Sequence, residues 1–105
     1  MKGTEKQIAW ATDIINTPVN TIQKYAEQLA NSRITSDHTI SASLIKSIET
    51  YHSMINSIPQ MQDVSFVISN RNKFATVAKE AVRRTLVADG IHPAAVLANL
   101  NNRGL

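Results

Sequence analysis

Acid–base or metal chemistry in this chain would have to rest on three histidines and eight carboxylates, because it contains no cysteine. That absence removes disulfides, thiolate zinc sites and cysteine nucleophiles. His38, His52 and His92 include no pair at i, i+4, the spacing that sets two imidazoles on one helical face around a metal. Glu49 and His52 form a single Glu-x-x-His unit, which helical di-metal bundles use in two copies. The acids Glu5, Asp13, Glu27, Asp37, Glu49, Asp63, Glu80 and Asp89 are spread along the chain, so no carboxylate pair is placed to share a proton. Gly3, Gly90 and Gly104 lie too far apart to build a phosphate-cradling loop, and no serine stands in a G-x-S-x-G turn. The expectation is a protein that is not an enzyme, with no catalytic, cofactor-binding or metal-ligating residues.

Charge is the feature that remains. The formal net charge is +3, and residues 1–62 balance to zero, so the excess lies wholly in residues 63–105. There Arg71, Lys73, Lys79, Arg83 and Arg84 face only Glu80. At 100° per residue Asn72, Thr76, Lys79 and Arg83 stack opposite Phe74 and Ala81, with Lys73, Glu80 and Arg84 flanking them. Such a face is either solvated, with a Glu80–Arg84 pair at i, i+4, or a contact surface. As a contact surface it would meet nucleic-acid phosphates or an acidic groove on a protein.

The sequence favours the protein. No aromatics interleave with Lys79–Arg84 to stack on bases. A helix-turn-helix over Ile22–Tyr51 would have no glycine in its turn and only Lys46 as a cation on its reading helix. A protein partner would also need apolar anchors, for which Tyr51 and Met61 are the candidates. With Met54, Ile55 and Ile58, those two residues also support a third reading, a structural homo-oligomer.

The elements that must position these residues read as helices throughout. Thr4-Glu5-Lys6-Gln7 has the form of a capping box opening a helix over about Glu5–Ile15. Thr17-Pro18 reads as a second start, with Val19, Ile22, Ala26 and Leu29 as its stripe to about Ser32. The longest helix spans about Asp37–Ser57 and is stopped by Pro59, with Ser41, Ser43, Ser47, Thr50 and Ser53 on faces away from the stripe. Asp63–Ile68 alternates like a strand, but no partner strand exists, so a short helix is the preferred reading. The basic helix follows, ended by Gly90, and His92-Pro93 opens a last short helix. Trp10, Leu44, Ile48, Phe74 and Leu86 sit centrally on apolar stripes and are the expected core.

The opening Gly3-Thr4-Glu5-Lys6-Gln7-Ile8-Ala9-Trp10-Ala11, with Ile14 after it, resembles the start of a group of small helical proteins of bacteria, phages and mobile elements. Phe66-Val67-Ile68-Ser69-Asn70-Arg71-Asn72 resembles an aromatic-x-Ile-x-Asn-Arg segment of that group, with Phe66 in place of a tryptophan and Ser69 in place of an acid. The resemblance implies a mobile-element origin and brings no defined activity with it.

These observations predict an all-α, single-domain bundle of five or six short helices over residues 1–105. No apolar run approaches the ~20 residues that span a bilayer. Met1–Gln7 leads directly into the first helix, so a cytoplasmic protein without a membrane contact is expected. The functional expectation is a phage or mobile-element accessory protein that binds a protein partner, as an inhibitor of a host nucleic-acid-handling or defence complex. Nucleic-acid binding through residues 71–89 is the alternative.

Overall fold

The first helix begins where the Thr4 hydroxyl accepts the Gln7 backbone N–H at 3.2 Å and the Gln7 side chain accepts the Thr4 N–H at 3.1 Å. Two N–H groups that the helix cannot pair internally are satisfied this way. The computed structural model describes Lys2–Leu105; Met1, at the head of the expected domain, lies outside the described residues. It contains α1 (Glu5–Ala30), α2 (Thr35–Asn56), α3 (Val64–Ser69), α4 (Lys73–Ala88) and α5 (Ala94–Asn102), with a 3-10 turn at Pro59–Gln62 between α2 and α3. The described residues form no strand beyond a single bridge between Lys2 and Asp63. The architecture is all-α, and none of the helices is long and apolar enough to cross a membrane.

The Thr17-Pro18 start expected from sequence does not occur. α1 runs through Pro18 without a break. Proline inside a helix lacks an N–H, which takes the helical donor from the Ile14 carbonyl, and the carbonyls on either side of it accept side-chain bonds. Thr17 Oγ1 donates to the Asp13 carbonyl at 2.7 Å, and the Tyr51 hydroxyl donates to the Ile15 carbonyl at 2.8 Å from across the bundle.

The stretch Val64–Ser69 is helical, as the lack of a partner strand implied. Asp63 caps it by accepting the Ser65 N–H at 2.9 Å. Gly3, at φ +153°, brings the chain start against it; a Cβ there would meet Val64 Cγ1 at 2.6 Å. Gly90 ends α4 at φ +76°, where the Ile91 N–H reaches back to the Leu86 carbonyl at 2.8 Å.

α2 is the central element, antiparallel to α1 on one side and to α4 on the other. Of the serines read as lying away from its apolar stripe, only Ser53 is exposed. Ser41, Ser43 and Ser47 are buried. Ser41 Oγ donates to the Ala26 carbonyl and Ser47 Oγ to that of Leu44, both at 2.6 Å. Across the seam stand Ala78, Ala81 and Thr85 of α4, also buried. Small side chains on both helices permit close approach, and no buried side-chain polar atom of the described residues lacks a partner. The core also contains Leu44, Phe74 and Leu86 as expected, whereas Ile48 is only partly buried and Trp10 is 50% exposed. The molecule is elongated, 46 × 22 × 18 Å.

Candidate functional site

The one acid of the basic helix pairs with two of its arginines. Glu80 accepts the Nε–H of Arg83 at 2.9 Å and that of Arg84 at 3.0 Å. The Arg83 hydrogen bond first, then that of Arg84, holds the Glu80 carboxyl down at about 2. The three side chains together leave one net positive charge. Lys79 is half-buried and turned toward α5, where its ammonium donates to Asn101 Oδ1 at 3.2 Å. Of the row expected on one face, Asn72, Thr76 and Arg83 remain exposed.

Tyr51 and Met61 do not reach the surface. Tyr51 is fully buried, its hydroxyl bound to the Ile15 carbonyl, and burial pushes its phenol far above its ordinary value. Met61 is 8% exposed. Tyr51 lies on the large-residue stripe of α2 and Met61 in the 3-10 turn that follows it, and one core covers both. Ile55 is likewise buried, and Met54 and Ile58 pack against the core, so the apolar set behind the homo-oligomer reading is used internally.

Two candidates stay free, at the start of α4. Arg71 and Lys73 are exposed and have no carboxylate partner among the described residues. Arg71 donates to the Ile68 carbonyl at 2.9 Å, and its guanidinium carbon lies 6.0 Å from the centroid of the Trp10 ring. Sequence reasoning placed Trp10 in the core. Splitting α1 at Pro18 hid the signal: on the continuous helix Ala11, Ile15, Pro18, Ile22 and Ala26 define a stripe whose centre lies about 120° from Trp10.

Beside Trp10, one turn along α1, begins a groove of about 300 Å³ between α1, the start of α4 and the residues after α5. Ile14, Pro18, Ala75 and Leu105 form its apolar surface, and Arg71 stands at one end. No acid lines it. Farther along α1, Arg103 lies over the Tyr25 ring at 4.5 Å and donates to Gln28 Oε1. Tyr25 is buried, which raises its phenol pKa; Arg103 acts to lower it and Asp37 of α2 to raise it.

A second depression, of about 520 Å³ between α2 and α4, contains Lys46, Glu49, Arg84 and Asp89, of which Lys46, Arg84 and Asp89 are paired within the molecule. There Asp89 accepts from Lys46 at 2.8 Å and from Ser43 at 2.7 Å; these bonds, that of Lys46 foremost, lower its pKa. Among the described residues no three His, Asp or Glu side chains come together as a metal site.

No family model, no curated protein and no solved structure matches this chain.

Proposed function

We propose that this chain is a non-enzymatic accessory protein that acts by binding a protein partner. The observation that carries the reading is Trp10, half exposed beside an arginine that has no carboxylate of its own. Tryptophan and arginine are the residues that most often dominate the energetics of protein interfaces. In the phage or mobile-element setting implied by the N-terminal resemblance, such a protein would occupy and inhibit a host nucleic-acid-handling or defence complex. The alternative, direct nucleic-acid binding through residues 71–89, has less support, because Glu80 holds both Arg83 and Arg84 and offsets one of their two charges, and no exposed aromatic lies among them.

The test is affinity capture from the source cells with three forms of the protein, alongside duplex DNA titrated over a range of salt. The expected result is a stoichiometric protein partner retained by Arg83→Ala/Arg84→Ala and lost from Trp10→Ala. Salt-dependent DNA binding abolished by the arginine pair, with no protein captured, would overturn it.

A further inference from the structure

We infer that the groove between α1 and the start of α4 binds an acidic, apolar peptide segment of the partner, laid along α1 with its carboxylates on Arg71 and Arg103. The inference rests on the protein-binding reading and names the partner's chemistry. Three features of the groove carry it.

Its surface is mixed, with Ile14, Pro18, Ala75 and Leu105 supplying apolar contact and Thr17, Thr21 and Asn72 polar edges, and half-exposed Trp10 stands one turn before Ile14 on α1. A surface of that kind gains from covering apolar side chains. Its charge has one sign. Arg71 is part of the lining, Lys73 follows on the first turn of α4 and Arg103 directly precedes Gly104 and Leu105, while no carboxylate is in the lining. The chain's carboxylates are engaged elsewhere where they meet cations: Glu80 holds Arg83 and Arg84, and Asp89 holds Lys46. Asp37 does face the Tyr25 end, but it accepts the Ser32 hydroxyl at 2.7 Å.

Finally, both arginines are held in place, since one lies over the Trp10 ring and the other over the Tyr25 ring. Arg71 donates one N–H to the Ile68 carbonyl and Arg103 one to Gln28 Oε1; a guanidinium has five, so others remain to meet a carboxylate, and little side-chain freedom remains to be lost on binding.

The separation of the two arginines sets the length of the segment. Trp10 and Tyr25 stand fifteen residues apart on α1, which at 1.5 Å per residue is about 22 Å. An extended chain covers that distance in about seven residues. The fitting ligand has acidic residues at both ends and aliphatic residues between.

Trp10 is the sole tryptophan of the chain, so its fluorescence reports occupancy of the groove directly. The probes are synthetic peptides of the derived length: one with Asp/Glu ends and a Leu-Ile-Leu centre, one with Lys ends, and one with a Ser-Gly centre. The acidic–apolar peptide is expected to shift Trp10 emission to the blue, with affinity that falls as salt rises. Arg71→Ala should weaken it roughly tenfold, whereas Arg33→Ala, an equal loss of charge in the α1–α2 connection, should leave it unchanged. Arg71→Glu should transfer preference to the Lys-ended peptide while the helical circular dichroism spectrum stays intact.

Equal binding of all three peptides, or indifference to Arg71→Glu, overturns the inference. So does tighter binding of an oligonucleotide to the groove, or a peptide-blocked self-dimer in sedimentation. A partner captured from cells equally well by wild type and Arg71→Glu would refute the acidic segment while leaving the protein-binding reading in place. Failure of the wild-type protein to capture any partner would count against the reading itself.

Discussion

The seam between α2 and α4 and the groove between α1 and α4 share one helix and treat it differently. Along the seam α4 has Ala78, Ala81 and Thr85 buried, and the hydroxyls of Ser43, Ser47 and Thr85 each find an acceptor within the molecule. At the groove the same helix begins with no side-chain cap and no acid in its first turn, preceded by Arg71 and next to a half-exposed tryptophan. One region satisfies itself and the other leaves cations and apolar surface open. Binding capacity follows from what the fold leaves unpaired, so a count of basic residues on a helix is a poor guide to it. Arg83 and Arg84 are as numerous as Arg71 and Lys73, yet only the second pair is free of a carboxylate.

That contrast can be broken by substitution. The largest effect is expected from Leu44→Ala, which empties a fully buried position on α2 and should cost about 2–5 kcal/mol in denaturant unfolding. A loss under about 1 kcal/mol would mean that α2 is not the central element. Ala81→Leu forces extra volume into the close approach of α4 to α2 and should cost about 1–3 kcal/mol; a neutral result would show the seam to be loosely packed. Trp10→Ala removes the largest side chain of the chain but only a half-covered one, so about 1 kcal/mol is expected from the lost burial and the lost arginine contact. A cost as large as that of Leu44→Ala would place Trp10 in the core after all.

The smallest effect concerns Glu80. Its carboxyl is lowered from 4.5 to about 2, so the stabilisation it gives is fully present above 4.5 and is lost as pH falls through about 2. Carboxyl carbon chemical shifts followed through an acid titration should show that midpoint, and Arg83→Ala/Arg84→Ala should return it toward 4.5. An unchanged midpoint in the double variant would show that the arginines do not hold the carboxylate in solution.

Local chemistry was the legible part of the sequence. Thr4 and Gln7 form the capping box, Pro59 follows the end of α2, and Gly90 terminates α4 with positive φ. Each of these depends on residues within one turn of each other. Coverage was harder to read, because an apolar stripe shows which side of a helix can be buried and not how many neighbours it meets. α2 has one stripe of large residues and a second of serines, and the second is buried because hydroxyls can bond the carbonyls of their own or a neighbouring helix. Tyr51 lies with the first stripe and disappears with it. Trp10 erred in the other direction, since a stripe cut short at Pro18 could not show that the ring lies off its centre.

Pro18 has a consequence for how α1 opens. A helix that lacks one i→i+4 bond midway is joined in two lengths, and the lengths can exchange their amide protons with solvent separately. Glu5–Ile15 is held by the Thr4 cap and, at its far end, by the Tyr51 bond to Ile15, while Val19–Ala30 contains the buried Ile22, Tyr25 and Ala26 and takes the Ser41 bond on the Ala26 carbonyl. Deuterium should therefore enter the amides of the first length earlier than those of the second, with the boundary at the proline. The half of α1 that carries Trp10 would be the half able to yield without unfolding the rest.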